Sequence, residues 1–105
     1  MTVKKQFNSF EELITGSKLP VLVDFYATWC GPCQLMAQIL EQINPEISQK
    51  VQIVKIDTDK YPQLASQFQI QALPTLVLFK DGQAIQRIEG VMQPPHLLQQ
   101  LQNLV

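Results

Sequence analysis

Hydrophobic and polar positions follow each other with a spacing that changes along the chain, and each spacing predicts an element. Residues 21–27, VLVDFYA, are β-branched, aromatic and apolar on both faces except for Asp24, a pattern typical of a central strand covered on both sides. Residues 51–57 predict a second strand. Between them an amphipathic helix is predicted from Cys33 onward, which Pro45 is expected to kink or to end early. Its predicted buried face consists of Leu35, Met36, Ile39, Leu40, Ile43 and Ile47.

Turn and helix-end signals predict the elements of the second half. Residues 61–68 predict a short helix. Residues 75–80 and 84–89 flank Asp81-Gly82, a dipeptide that favours a tight hairpin turn, so these two strands are expected to be antiparallel. A final helix opens at Pro94-Pro95. Its predicted inner face consists of Leu97, Leu98, Leu101 and Leu104.

The N-terminal residues complete the predicted architecture. Residues 3–7 predict a strand, and Asn8-Ser9 predicts the start of a short helix that ends at Gly16. The strand, helix, strand, helix order from residue 21 to residue 68 predicts that the strands at residues 21–27 and 51–57 pair in parallel. The sequence therefore predicts one α/β domain over residues 1–105, with a central five-stranded mixed sheet flanked by four helices.

Composition narrows the class of protein. The chain has 105 residues, 46% hydrophobic and 16% charged, and a net charge of −1, which argues against disorder and against nucleic-acid binding. The longest nearly unbroken apolar run, residues 19–27, is too short to cross a bilayer, so no membrane association is expected. The sequence begins without a secretory signal pattern. We expect a cytoplasmic protein, or one in the plastid stroma if a transit peptide was removed.

The two cysteines of the chain, Cys30 and Cys33, lie in the segment Trp-Cys-Gly-Pro-Cys. A disulfide between them closes so short a loop that it adds little stability, which favours a chemical role. At a helix N-terminus the macrodipole favours a thiolate, so Cys30 at the exposed end is the expected nucleophile and Cys33 the resolving thiol. The alternatives are an inert disulfide and a zinc site, but zinc needs four ligands and the sequence adds only the distant His96.

Asp24 is an acid in a strand that is otherwise apolar. Burying it ionised is costly, so its pKa should be raised, and it could accept the proton of Cys33 directly or through a water. The alternative is an acid that reaches solvent at the edge of a layer. Lys55 on the neighbouring strand is a candidate charge partner for Asp24, or else an ordinary surface lysine. Pro74 directly precedes a predicted strand, where either peptide isomer is tolerated.

Four segments together resemble the thioredoxin family. They are VLVDFYATWCGPC at residues 21–33, ALPT at 72–75, FKDG at 79–82, and Gly90. The resemblance covers essentially the whole chain, and the segments VDFYATWCGPCQLM and VKIDTDKYPQLA resemble the y-type thioredoxins of cyanobacteria and plastids. Two residues depart from the family pattern: Tyr26 stands where many members have tryptophan, and Gln38 where a helix-kinking proline is common.

The resemblance implies roles for individual residues. Cys30 matches the attacking cysteine, Cys33 the resolving cysteine, Asp24 the buried proton-transfer acid, Lys55 the lysine near that acid, and Pro74 the cis-proline. Leu73 and Val91 have ordinary packing as an alternative. The full set expected to bind the substrate is Trp29, Gly31, Pro32, Ala72, Leu73, Pro74, Gly90 and Val91.

The expected function is reduction of disulfides in target proteins through an internal disulfide, without a metal or an organic cofactor. We expect a monomer. The resemblance implies that it receives electrons from an NADPH- or ferredoxin-dependent thioredoxin reductase. Its implied targets include peroxiredoxins and methionine sulfoxide reductases. Two alternatives remain at this stage: an oxidase or isomerase that runs the couple in the other direction, and a binding module without turnover.

Overall fold

Four strands form one mixed sheet in the computed structural model, which describes residues 10–105. β1 (Val21–Tyr26) pairs in parallel with β2 (Gln52–Asp57) and antiparallel with β3 (Thr75–Lys80). β3 pairs antiparallel with β4 (Gln83–Glu89), so the strand order is β2-β1-β3-β4. The predicted parallel pairing of the first two of these strands and the predicted antiparallel pairing of the last two are confirmed. The strand predicted at residues 3–7 and the helix-start signal at Asn8-Ser9 lie outside the described residues.

Four helices cover the sheet: α1 (Phe10–Gly16), α2 (Gly31–Ile47), α3 (Pro62–Gln67) and α4 (Pro94–Leu104). The buried side chains fall into two main clusters, one of which joins the sheet to α2 and α4 and the other to α1 and α3. Helices therefore lie on both faces, as the sequence predicts, and the thioredoxin-like α/β fold is confirmed.

β1 is the strand that both layers share. Leu22 belongs to the cluster beneath α2 and α4, whereas Val23 and Phe25 belong to the cluster beneath α1 and α3. Successive side chains of a strand point to opposite faces, so a strand between two helical layers must be apolar at every position. The one acid in β1, Asp24, is consequently buried in the sheet.

α2 differs from its prediction in two places. Leu35 was expected on the buried face but is 46% exposed, because it lies beside the stripe that Met36 and Ile39 form against the sheet. The predicted early end at Pro45 is wrong, since the helix continues to Ile47. Pro45 lies in the last turn, where its ring removes a single backbone hydrogen bond, and the fully buried side chain of Ile47 holds that turn against the core.

Candidate active site

A disulfide joins Cys30 and Cys33 at the point where β1 leads into α2. Cys30 is the N-cap residue of α2, with an extended backbone, and the amide of Cys33 donates a hydrogen bond of 3.2 Å to the Cys30 sulfur. Amides of a first helical turn lack carbonyl partners within the helix, and the helix dipole is positive at this end. The fold therefore places at Cys30 the groups that stabilise a thiolate sulfur.

Burial does not distinguish the two cysteines. Cys30 is 5% and Cys33 is 4% exposed, so the expectation that Cys30 lies at an exposed end is wrong for the oxidised pair. Both sulfur-bearing side chains pack with Ala27, and Tyr26 and Leu73 cover this cluster, which we call the dithiol cluster. The position of Cys30 as helix cap, rather than its exposure, separates its chemistry from that of Cys33.

Asp24 is 1% exposed, and neither of its carboxyl oxygens has a hydrogen-bond partner among the described residues. Burial raises the pKa of Asp24 from 3.8 to about 6, and the charge of Lys55 opposes this shift. Asp24 does not reach solvent. Every second residue of a strand lies on the same face, so Asp24 is the next side chain along β1 from Tyr26 on that face. Because Tyr26 covers the dithiol cluster, Asp24 lies one side-chain row from that cluster. The site thus contains a carboxyl group that exchanges its proton near neutral pH.

Lys55 is the register partner of Asp24 across the β1–β2 pair. Its side chain is exposed, and its ammonium lies 4.9 Å from the centre of the Tyr26 ring. No ion pair joins Lys55 to Asp24 in the part of the chain that the structure describes. Lys55 therefore acts on Asp24 through space, as a nearby charge and not as a contact partner.

The loop before β3 lies against the dithiol cluster. The Leu73–Pro74 peptide bond is cis, as the resemblance implies. The Thr75 hydroxyl donates a hydrogen bond of 2.6 Å to the carbonyl of Ala72, and the amide of Gly90 donates one of 2.8 Å to the carbonyl of Pro74. These bonds fix the loop from both sides, and Leu73 contacts the dithiol cluster from it.

The residues predicted to bind the substrate form a rim with both apolar and backbone groups. Trp29 is 72% and Val91 36% exposed. Of the others, Gly31, Pro32 and Ala72 are exposed, Leu73 and Gly90 are half-buried, and Pro74 is buried. Gly90 has a φ of 84°, a conformation that suits glycine and lets the chain turn away after its bond to Pro74.

Two residues of the site region were missed by the sequence analysis. Asp59 accepts a hydrogen bond of 2.9 Å from the indole nitrogen of Trp29. Arg87 on β4 donates bonds of 2.6 and 2.5 Å to the carbonyls of Phe68 and Gln69, which follow α3 ahead of the Pro74 loop. Both contacts join segments far apart in the chain. Asp59 lies in the segment VKIDTDKYPQLA, but no spacing in the sequence pairs Asp59 with Trp29, or Arg87 with the end of α3.

Asp59 lies in a loop that is fastened to the end of β1. The amide and the hydroxyl of Thr58 both donate to the carbonyl of Tyr26, at 2.9 and 3.1 Å. The amide of Asp59 donates to the carboxylate of Asp57 at 2.9 Å. The loop therefore presents the Asp59 carboxylate to the Trp29 ring from a fixed place, which orients an aromatic side chain that is otherwise largely in solvent.

Residues 10–105 contain no group of three or more potential metal-ligating side chains, and no helix among them is long and apolar enough to cross a membrane. What they do contain is a two-cysteine redox pair at a helix N-terminus, a buried acid one row away, and an apolar rim. This arrangement defines a dithiol-disulfide oxidoreductase.

Comparisons with known proteins agree. The thioredoxin family model matches residues 1–103. The chain is 65% identical over 105 residues to a thioredoxin-like protein of Synechocystis sp., with 100% of both chains covered. It is 50% identical over 100 residues to chloroplastic thioredoxin Y of Oryza sativa subsp. japonica, which covers 95% of this chain but only 60% of that relative.

Solved structures give the same result. The chain superposes on mitochondrial thioredoxin 3 of Saccharomyces cerevisiae, oxidized form, with a TM-score of 0.82 and 38% identity, covering 91% of this chain and 88% of the other. A second structure, from work on thiol resolution in yeast mitochondrial 1-Cys peroxiredoxin via glutathione/thioredoxin systems, has a TM-score of 0.82 and 36% identity over the same shares.

The chain belongs to the thioredoxin family. The match to chloroplastic thioredoxin Y supports the resemblance to y-type members. Its two cysteines are joined in the pair that the family's reaction requires, so it is a protein-disulfide reductase.

Replacing Asp24 should change how stability depends on pH. The folded state binds the Asp24 proton more tightly than the unfolded state, so this acid destabilises the oxidised protein as pH rises from about 4 through 6. Above that range the loss is about 3 kcal/mol, from 1.36 kcal/mol per pKa unit. Asp24→Asn removes this contribution, so its unfolding free energy in urea should fall less between pH 4 and pH 6 than that of the native protein.

The matched control is Asp81→Asn, which neutralises an exposed carboxyl group in the β3–β4 turn. Its unfolding free energy should follow that of the native protein across the same pH range. If Asp24→Asn and the native protein give parallel curves between pH 4 and 8, the Asp24 proton does not respond to burial as stated here.

Removing the Asp59 carboxylate should free the Trp29 ring. Trp29 is the only tryptophan of the chain, so its fluorescence anisotropy reports this ring alone. Asp59→Ala deletes a hydrogen bond worth roughly 0.5–1.5 kcal/mol and should lower the anisotropy, whereas Asp59→Asn keeps an acceptor oxygen and should leave it near the native value. Native anisotropy in Asp59→Ala would show that the bond does not orient the ring.

Proposed function

We propose that this chain reduces disulfides of target proteins, with Cys30 as nucleophile and Cys33 as resolving thiol. The observation that supports this most directly is the Cys30–Cys33 disulfide capping α2, one side-chain row from the buried Asp24, whose carboxyl has no hydrogen-bond partner among residues 10–105. The disulfide is the oxidised product of the cycle.

The first step begins from the reduced dithiol. The Cys30 thiolate attacks one sulfur of the target disulfide, a Cys30–target disulfide forms, and the other target sulfur leaves as a thiolate that takes a proton from solvent. The first-turn amide that donates to the Cys30 sulfur in the oxidised state is placed to donate to a Cys30 thiolate and so to stabilise it. Cys30 is therefore the better nucleophile of the two cysteines.

The second step transfers the Cys33 proton to the Asp24 carboxylate. The Cys33 thiolate then attacks the Cys30 sulfur, the bond from Cys30 to the target breaks, and the second target sulfur leaves as a thiolate. Two electrons have passed to the target, and Cys30 and Cys33 are joined. An acid whose pKa lies at about 6 suits this step, because it is ionised at neutral pH yet close enough in pKa to take up a proton.

The substrate-binding rim supports recognition by apolar contact and backbone pairing. Trp29 and Val91 offer exposed apolar surface, and Leu73 of the cis-Pro74 loop packs against the dithiol cluster. Gly31 and Pro32 are exposed between the cysteines and carry no large side chain that would block a target chain. With a net charge of −1, the protein gains little from long-range steering, so shape and pairing select targets.

The partners follow the family. A thioredoxin reductase, using NADPH or ferredoxin, returns two electrons to the Cys30–Cys33 disulfide, and peroxiredoxins and methionine sulfoxide reductases are among the targets. The likeness to a structure solved in work on a 1-Cys peroxiredoxin supports the first of these target classes. The Synechocystis and rice relatives come from a cyanobacterium and from chloroplasts, which supports action in the cytoplasm or in the plastid stroma. We infer that the chain acts as a monomer with one domain over residues 1–105.

Trapping experiments test the assignment of the two cysteines. With a small disulfide-containing protein such as insulin as target, Cys33→Ser should accumulate a mixed disulfide through Cys30, visible as a covalent adduct by non-reducing electrophoresis and mass spectrometry. Cys30→Ser should form no adduct, because its remaining thiol is not the helix cap. Adduct formation by Cys30→Ser alone would reverse the two roles, and turnover by either variant would remove the proposed cycle.

A further inference from the structure

Tyr26 lies between the two charged groups beside the dithiol. It ends β1, is half-buried, and packs against the dithiol cluster. The Lys55 ammonium lies 4.9 Å from the centre of its ring, within the range in which an aromatic face attracts a cation. Tyr26 is also one of the two residues that depart from the family pattern, since many thioredoxins have tryptophan at this position.

The register of β1 and β2 explains how the ring and the ammonium meet. Asp24 is opposite Lys55, and Tyr26 is opposite Asp57. Because residues two apart in a strand share a face, these four side chains form two neighbouring rows on one side of the sheet. The Lys55 side chain leans from the row of Asp24 toward the row of Tyr26. Among the described residues the ammonium forms no ion pair with Asp24, and its charge acts on the carboxyl group through space.

We propose that Tyr26 is a positioning residue for the proton-transfer acid: its ring holds the Lys55 ammonium beside Asp24. This inference rests on the proposed function of Asp24. It adds that the Tyr26 ring determines whether the positive charge of Lys55 acts on the Asp24 carboxyl group. The ammonium favours the ionised carboxylate, which is the form that receives the Cys33 proton. Without the ring, a second place in the structure is open to the ammonium.

That place is a groove of about 240 Å³ between α2 and β2. Its lining includes Lys55 together with Glu41 and Asn44 of α2, so a freed ammonium gains a carboxylate and an amide oxygen there. In the groove the cation would neutralise Glu41 and not Asp24. The Tyr26 ring and the Glu41 groove thus compete for one lysine side chain.

The other groups around Asp24 do not replace Lys55. β2 also brings Asp57, a negative charge, which with burial and Asp24 raises the pKa of Tyr26 and keeps its phenol neutral. β3 places the apolar Leu76 opposite Asp24. α2 brings Cys33, and α4 has only the exposed His96 as a titratable side chain. Lys55 is therefore the positive charge that the structure places beside the acid.

The experiment is a titration of the Asp24 side-chain carboxyl by carbon-13 NMR in the oxidised protein, in which neither cysteine titrates. It compares the native chain with Tyr26→Leu, Tyr26→Phe, Lys55→Met and the double variant Tyr26→Leu/Lys55→Met. Tyr26→Leu should shift the Asp24 midpoint upward toward the value of Lys55→Met, because the carboxylate loses its nearby cation. Tyr26→Phe keeps the ring and should leave the midpoint unchanged. The double variant should titrate as Lys55→Met does.

The sign of the shift separates this account from simple shielding. If the Tyr26 ring only keeps water from Asp24, Tyr26→Leu hydrates the carboxyl group and its midpoint falls, which would overturn the proposal. An equal effect of Tyr26→Leu with and without Lys55 would also overturn it. The Lys55 ε-methylene protons give a second reading that needs no titration: their ring-current shift should persist in Tyr26→Phe and vanish in Tyr26→Leu, and its absence from the native protein would contradict the contact.

Failure of this proposal is distinguishable from failure of the proposed function. The titration depends only on the surroundings of Asp24 and not on turnover. If Asp24→Asn resolves the mixed disulfide at the native rate, the role of the acid is wrong even when Tyr26 positions Lys55. If Asp24→Asn resolves the mixed disulfide slowly and the Asp24 titration midpoint is the same in Tyr26→Leu as in the native chain, the acid acts as proposed and Tyr26 does not position the lysine.

Discussion

The burial of one ionisable carboxyl group in the central strand is the constraint on which the site depends. Every other side chain of β1 between Val21 and Phe25 is apolar, and Asp24 among them is 1% exposed with no hydrogen-bond partner in the described chain. A polar group in such surroundings is costly unless it changes its protonation. The sheet and its two helical layers supply enough apolar burial to retain it, and the result is an acid with a pKa of about 6 near the dithiol.

The rest of the site follows from where β1 ends. The strand passes directly into the turn that makes Cys30 the cap of α2, so the sulfur chemistry lies at the end of the strand that holds the acid. Loops from the neighbouring strands converge there: the segment after β2 carries Asp59 to Trp29, and the segment before β3 carries Leu73 to the dithiol cluster. The acid, the dithiol and the substrate-binding rim are therefore held at the end of the sheet where β1 and β2 finish and β3 begins. Residues 10–105 contain no metal-ligating cluster.

Structural features that depend on residues close together in the sequence could be predicted. The strand pattern around Asp24, the Cys30–Cys33 spacing and the Asp81-Gly82 turn each specify their own element, and the structure has each of them. The cis state of Pro74 was available only through resemblance to a family. What could not be predicted depends on packing across the fold: the exposure of Leu35, the burial of Cys30, and the helix that continues past Pro45.

Side-chain pairs between distant segments were the least predictable. The Trp29–Asp59 bond and the Lys55–Tyr26 contact depend on how loops and strand rows meet, and no periodicity encodes that. Sequence reasoning identified Lys55 as a charge near Asp24 but not the direction in which its side chain leans. We propose that the two cysteines and Asp24 carry the reaction, and that these pairs orient the rim and determine the charge near the acid.

The central claim is that this chain is a reductant of protein disulfides, and its most direct test is the equilibrium reduction potential of the Cys30–Cys33 couple. The measurement uses dithiothreitol or glutathione buffers at pH 7 and quantifies the two thiols by alkylation and mass spectrometry. The account predicts a strongly reducing couple, at about −270 mV, the value typical of thioredoxins. A potential above about −200 mV would contradict it and indicate a protein that forms or isomerises disulfides.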